Sequence, residues 1–114
     1  MTDVLTVALA ALALLGVAAV TRFLFVTLQS LVNWFRQRQS ELAAKERVAV
    51  TIAQRMEANQ VAVVHGVFDN VSMIQGVYDT DRESFVEIRE IRAADAEDEV
   101  RRIHQGHRVV VWGG

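Results

Sequence analysis

The architecture is decided by the first apolar run, Val4 to Thr21, which reads V-L-T-V-A-L-A-A-L-A-L-L-G-V-A-A-V-T and contains no charged residue. As an α-helix with a rise of ~1.5 Å per residue it would be ~27 Å long, close to the ~30 Å hydrocarbon core of a bilayer. The apolar continuation Phe23 to Leu28 makes it long enough to span with some tilt. We therefore predict a single transmembrane helix, with residues 1–28 as a membrane anchor.

Two other interpretations of this run remain open. One is a cleaved signal peptide, since Val17-Ala18-Ala19 could be a cleavage site, although the opening Met1-Thr2-Asp3 lacks the positive charge of a signal peptide. The other is a buried helix of a soluble domain. A helix that is apolar on all sides needs a large surrounding core, which the roughly 90 remaining residues could hardly supply.

The charges that flank the run predict its orientation. No lysine or arginine precedes it, whereas several basic residues follow it. By the positive-inside rule the N-terminus lies outside the cell and the rest of the chain lies in the cytoplasm. Arginine can extend to the lipid headgroups, and aromatic rings favour the membrane–water interface. The predicted membrane-interface residues are Arg22, Phe23, Phe25, Trp34, Phe35, Arg36 and Arg38.

Residues 29–60 are predicted to continue the anchor as an amphipathic juxtamembrane helix, because no proline interrupts them. Apolar residues recur there at intervals of seven, the spacing of one position in a coiled coil. Three arrangements remain open: a helix on the inner membrane surface, a self-associating stalk, or a helix packed on its own C-terminal domain. A strand over Arg47 to Ala53 is a further alternative, since Val48, Val50 and Ile52 alternate with other residues. The predicted self-association residues are Leu28, Phe35, Leu42, Ala49 and Met56.

The pattern changes at Val61 from a helical period to strand-like runs, so residues 61–114 are predicted to form a small domain. The segment at 64–70, V-H-G-V-F-D-N, is echoed at 74–80 by I-Q-G-V-Y-D-T, and both end in a turn signal. The predicted order is β-β-β-α-β, which makes the whole chain α+β. The predicted elements are strands at Val61–Phe68, around Ile74–Tyr78, at Ser84–Ile91 and at His107–Trp112, with a helix at Ala93–Gln105 that is capped by Asp95 and ended by Gly106.

Composition limits the chemistry of this domain. The chain has no cysteine, which excludes disulfide frameworks, thiolate catalysis and cysteine-ligated metal sites. Residues 61–114 carry ten acidic and six basic side chains, so the domain is a poor candidate for nucleic-acid binding. In the third strand we expect Val86 and Ile88 to face inward and Glu87 and Arg89 to face outward.

Two motifs resemble metal sites but each lacks a feature that such a site needs. His104 and His107 could be ligands, but the intervening glycine disfavours helical presentation and no third ligand is indicated. The segment from Asp79 to Glu90 has the length of a calcium loop but carries Ser84 where glycine is needed. We therefore predict no metal, cofactor or catalytic residue.

The prediction for function is a non-enzymatic, single-pass membrane protein that presents a small acidic α+β domain at the cytoplasmic face for interaction or assembly. Its expected partners are the lipid bilayer and either another protein or a second copy of the chain. The alternative is a small oligomeric membrane-active protein, pore-forming or holin-like. A third hypothesis, a small enzyme that uses His65, His104 or His107, is the least favoured.

Overall fold

The computed structural model describes residues 19–56 and 70–112 of the chain, and the remaining residues lie outside the description. These residues form a mixed α+β domain of one five-stranded sheet and short helices, which confirms the predicted fold class in its coarse form. The elements in chain order are β1 (Ala19–Val26), α1 (Leu28–Arg36), α2 (Gln39–Leu42), β2 (Arg47–Met56), β3 (Val71–Asp79), β4 (Ser84–Ala96), α3 (Asp98–Ile103) and β5 (Val109–Trp112).

The sheet has the strand order β1-β4-β3-β2-β5, with β1 and β5 at its two ends. The pairing of β1 with β4 is parallel, and the other three pairings are antiparallel. A tight turn joins β3 to β4, because the Asp79 carboxylate accepts hydrogen bonds from the backbone N–H groups of Asp81 and Arg82 at 3.0 and 2.9 Å. The turn predicted after Asp79 is thus confirmed.

Helix α1 lies on one face of the sheet because its sequence has one apolar stripe. Thr27 caps the helix, since its hydroxyl oxygen accepts a hydrogen bond at 3.1 Å from the backbone N–H three residues later. The buried residues Leu31, Trp34 and Phe35 follow at helical spacing. Trp34 and Phe35 pack with Val77 of β3 in one cluster, and this contact fixes α1 over the centre of the sheet.

Helix α3 is shorter than predicted and begins later. Ala93 is fully buried and pairs with Val71, so the residues expected to open the helix instead extend β4. Asp95 therefore lies in β4 and does not cap the helix. The predicted end is confirmed, because Gly106 has a φ of 73°, the left-handed conformation that suits glycine after a helix. The last strand is also present, as β5.

The predicted anchor helix is wrong where the structure describes it. Residues 19–26 form β1, whose backbone pairs with β4, and a new helix begins only at Leu28. The reason is packing: Val26 is fully buried in a core cluster with Ile91 and Ala93, and Phe23 packs against the same cluster. The rest of the predicted anchor lies outside the described residues. None of the helices in the described part of the chain is long and apolar enough to cross a membrane.

The continuous helix predicted over residues 29–60 is also wrong. The chain makes two short helices and then enters β2, a ten-residue strand between β3 and β5. Val50, Thr51 and Ile52 are all buried, because β2 lies inside the sheet and is covered on both of its faces at these residues. The alternative of a strand over Arg47 to Ala53 is confirmed. The strand predicted at Val61–Phe68 lies outside the described residues.

Candidate functional site

The outermost strand, β1, presents an apolar surface at the end of the sheet. Among the described residues no strand pairs with its outer side. Its side chains Leu24 and Phe25 are 51% and 46% exposed, the highest values among the large apolar residues of this region. An open strand with exposed apolar side chains is a template for the addition of another strand. This edge is therefore the best candidate for an interaction surface.

The opposite end of the sheet offers a smaller edge. Strand β5 has only four residues, and it exposes Val111 at 40%. A short edge strand provides fewer backbone groups for pairing and is one of the ways in which proteins limit strand addition. The β5 edge is therefore the less favourable site for strand addition and provides the comparison for β1.

The seven predicted membrane-interface residues do not form one surface. Arg22, Phe23 and Phe25 lie in β1, the next three belong to α1, and Arg38 follows that helix. Trp34 and Phe35 are each only 8% exposed, because they pack on the sheet and Phe35 contacts the Trp112 ring at 5.7 Å. The structure places these two rings in the protein core. Membrane contact by the exposed members of the set stays a prediction.

The five predicted self-association residues likewise do not share one helical stripe. They are distributed over α1, α2 and β2, where the chain changes from helix to strand. Phe35, Leu42 and Ala49 join one intramolecular cluster, and Leu28 and Met56 pack against another. The residues at this seven-residue spacing therefore pack inside the domain. Self-association stays a prediction, and the holin-like alternative loses the continuous seam that motivated it.

A cavity of about 540 Å³ lies between α3 and the start of β5. Its lining is mainly basic, but the central arginine is already bound: Arg101 pairs with Asp95 and donates hydrogen bonds to the carbonyl oxygens of Ala96 and Met56 at 3.2 and 3.1 Å. The other cations there are exposed to solvent. The residues that line the cavity include Met56, Asp98, Arg101, Arg102, His107 and Arg108.

His104, a predicted candidate ligand, is part of a buried hydrogen-bond chain. Its Nδ1 lies 3.0 Å from the carbonyl oxygen of His107, which can only accept, so the ring proton is on Nδ1. Its Nε2 lies 2.9 Å from the Thr51 hydroxyl, which therefore donates to it. That hydroxyl oxygen accepts in turn from Trp112 Nε1 at 2.9 Å. Burial lowers the pKa of His104, so the ring is neutral.

These hydrogen bonds give His104 a structural role, because they join the end of α3 to β2 and β5. Neither ring nitrogen has a free lone pair for a metal or a substrate. Within residues 19–56 and 70–112, no three histidine or acidic side chains are grouped so that they could hold a metal ion. His65, the third candidate of the enzyme hypothesis, lies outside the described residues.

The start of the segment that has the length of a calcium loop is a structural turn. The Oδ1 atom of Asp79 is occupied by two backbone N–H groups, and its Oδ2 atom lies 3.6 Å from Arg47 Nε. The hydrogen bond from the Arg82 backbone is the main cause of the lowered pKa of Asp79. The carboxylate is therefore committed to the β3–β4 turn.

The carboxylates of Glu41 and Glu87 lie near each other where α2 meets β4, and their pKa values shift in opposite directions. Burial and a hydrogen bond to Glu87 raise the pKa of Glu41, whereas a hydrogen bond from Arg38 lowers the pKa of Glu87. The ion pair between Arg38 Nη2 and Glu87 Oε1 measures 2.9 Å. The arrangement ties the helical segment to the sheet, and Arg38 holds Glu87 in the charged form.

Sequence reasoning missed the strand β1 and the partial burial of Arg89. The open edge could not be found because β1 was assigned to a helix, although its β-branched and aromatic residues are typical of strands. Arg89 was expected to face solvent, yet it is half-buried beside Trp34 and Phe23 on the face that α1 covers. No protein-family model, curated protein sequence or solved structure matches this chain.

Proposed function

We propose that this chain is a non-enzymatic interaction or assembly protein held at the cytoplasmic face of a membrane. In this proposal the α+β domain recruits its partner by pairing a strand with the open edge of β1. The observation that carries it is the exposure of Leu24 and Phe25 on the outermost strand of the sheet. The partner is a strand of another protein or of a second copy of the chain.

The energetics support strand addition at this edge. Alternate residues of a strand point their N–H and C=O groups to the same side, so about four of the eight residues of β1 can bond a new neighbour. Leu24 and Phe25 are each about half exposed. Burying the exposed part of each would contribute about 2 kcal/mol at ~25 cal/mol per Å². Together these terms favour association and offset part of the entropic cost of bringing two partners together.

The membrane part of the proposal rests on the apolar run alone. Val4 to Ala18, the part that precedes β1, contains 15 residues and no charge. As a helix it would be ~22 Å long, shorter than the ~30 Å hydrocarbon core, so it would need local thinning of the bilayer to span it. The basic residues lie C-terminal to the run, which supports a cytoplasmic domain.

The interaction is tested with two edge variants of equal chemistry. Leu24→Lys places a charge on the β1 edge, and Val111→Lys places one on the β5 edge as a matched control. Sedimentation velocity of the purified full chain and co-purification from membranes are compared for both. We expect Leu24→Lys to abolish the association and Val111→Lys to preserve it. Equal behaviour of wild type and both variants would refute the proposed edge.

The topology is tested separately, because the chain lacks cysteine. Single cysteines at Thr2 and Gly114 are labelled in intact cells with a membrane-impermeant maleimide. A cytoplasmic domain predicts labelling of Thr2→Cys in intact cells and of Gly114→Cys only after lysis. Labelling of Gly114→Cys in intact cells would place the domain outside and overturn the orientation. Recovery of the whole chain in the soluble fraction would overturn the membrane association.

A further inference from the structure

The side chain of Arg89 is held in one orientation by a buried amide. Gln75 of β3 is 0% exposed, and its Nε2 donates a hydrogen bond of 2.8 Å to the carbonyl oxygen of Leu31 in α1. This bond turns the amide oxygen of Gln75 toward Arg89, whose Nε donates to it at 2.8 Å. The guanidinium is therefore oriented before any ligand arrives, which lowers the entropic cost of binding.

Two aromatic rings border the same guanidinium. Its central carbon lies 5.4 Å from the centre of the Trp34 ring and 5.6 Å from the centre of the Phe23 ring. Trp34 is buried and belongs to α1, whereas Phe23 is half-buried and belongs to β1. The rings give the cation apolar surroundings, in which an ion pair is stronger than in open solvent.

Arg89 lies beside a second cation, Arg38, and has no counter-ion among the described residues. The nearby Arg38, whose guanidinium lies 3.7 Å from the centre of the Trp34 ring, is paired with Glu87 at 2.9 Å. Arg89 takes part in no ion pair among the described residues. Burial, and secondarily the charge of Arg38, lower the pKa of Arg89 to about 10. The side chain is still protonated at neutral pH, so a local excess of one positive charge remains.

We propose that Arg89 is a binding site for the carboxylate of a small molecule with an apolar body. Because Nε is held by Gln75, the two terminal nitrogens of the guanidinium remain to form the paired hydrogen bonds that match a carboxylate. One monoanion neutralises the excess charge. The half-buried Phe23 supplies apolar contact for the body of the ligand, while the buried Trp34 ring backs the guanidinium. This inference is independent of the β1 edge proposed above as the interaction surface.

The probe is benzoate, with two matched controls at constant ionic strength. Benzyl alcohol has the same ring without the charge, and inorganic phosphate has the charge without the ring. The readout is the Nε–H resonance of Arg89 in the folded full chain, followed by NMR. We expect benzoate to shift this resonance saturably at millimolar concentration, benzyl alcohol to leave it unmoved, and phosphate to give a weaker response. An unmoved resonance with benzoate, or an equal response to phosphate, would overturn the proposal.

Two variants separate a specific site from general attraction. Followed through the Nε1–H resonance of Trp34, which every variant retains, benzoate binding to Arg89→Gln should be weakened by at least about tenfold, because charge-assisted hydrogen bonds are lost. Arg36→Gln removes an exposed arginine of α1 and should leave the affinity unchanged. Equal affinity of both variants would show that Arg89 merely stacks on its aromatic neighbours. If Arg89→Gln does not fold, the titration of the wild-type resonance decides the question alone.

Discussion

Replacing Thr51 with valine should destabilise the domain, although valine has nearly the same shape and is more apolar. Thr51 is fully buried, and its hydroxyl connects two other side chains. It donates to His104 Nε2 at 2.9 Å and accepts from Trp112 Nε1 at 2.9 Å. Valine would remove both bonds at once and leave two polar atoms without a partner.

The magnitude follows from what each orphaned atom costs. A buried polar group that loses its hydrogen-bond partner costs about 1–3 kcal/mol. The His104 ring is buried and bears the full cost, whereas Trp112 is half-exposed and recovers part of it from water. The two terms together predict a loss of about 2–4 kcal/mol in the free energy of unfolding. In urea denaturation this corresponds to a midpoint lowered by roughly 1–3 M.

The assay is equilibrium urea unfolding followed by tryptophan fluorescence and by circular dichroism, with Thr21→Val as control. Thr21 is a half-buried strand residue for whose hydroxyl the described residues supply no partner. Its substitution should change the stability by no more than about 0.5 kcal/mol. Equal stability of Thr51→Val and wild type would refute the hydrogen-bond chain, and with it the neutral, structural role assigned to His104.

Three further predictions concern packing and pH. Gly76→Ala should lower the free energy of unfolding by about 1–3 kcal/mol in the same assay, because the new Cβ would lie 2.8 Å from Ile88 Cγ2 and 3.0 Å from the Glu87 carbonyl oxygen. Unchanged stability would mean that β3 and β4 pack less tightly than described. The melting temperature should fall as the pH drops below about 6.5, because burial lowers the pKa of His104 in the folded state and the unfolded chain therefore binds the proton more tightly. His104→Gln should make the melting temperature depend less on pH in this range. The same pH dependence in the variant and the wild type would contradict the buried, neutral state of His104. Leu31→Ala should lower the free energy of unfolding by about 2–5 kcal/mol by calorimetry, since Leu31 is 1% exposed on the sheet-facing side of α1. If this segment were instead a free stalk, the substitution would not change the stability of the domain.

The C-terminal half was predictable because its signals are local. Asp79 and the polar residues after it specify a turn, and Gly106 specifies a helix end. Alternating and β-branched residues specify β4 and β5. The boundary between β4 and α3 was misplaced, because Ala93 favours a helix intrinsically but is buried in the sheet. The facing of β4 was also wrong at Val86, which was expected to point inward and is 40% exposed.

The N-terminal half was not predictable in the same way. The alanines and leucines before residue 19 favour a helix, and no proline marks the point at which the strand-forming sequence begins, although Gly16 lies three residues before β1. Thr27 provides a weak signal, since a helix cap implies that a new helix begins at Leu28. Strand β1 pairs with β4, and Ala19 lies opposite Arg89. The period of apolar residues along a segment does not indicate a pairing between residues so far apart in the sequence. Arg89 was misassigned for the same reason, because its face is covered by α1.

The parallel pairing of β1 with β4 also constrains the order of events during synthesis. Ala19 leaves the ribosome about 70 residues before its partner Arg89. At ~5–20 residues per second, β1 waits roughly 4–14 s without its neighbour. Strand β4 must be synthesised before β1 can pair, since β1 pairs with no other strand of the described sheet. The nascent chain therefore exposes its apolar first strand on both sides for seconds, which makes this interval its period of greatest exposure to misassembly or to early capture by a partner.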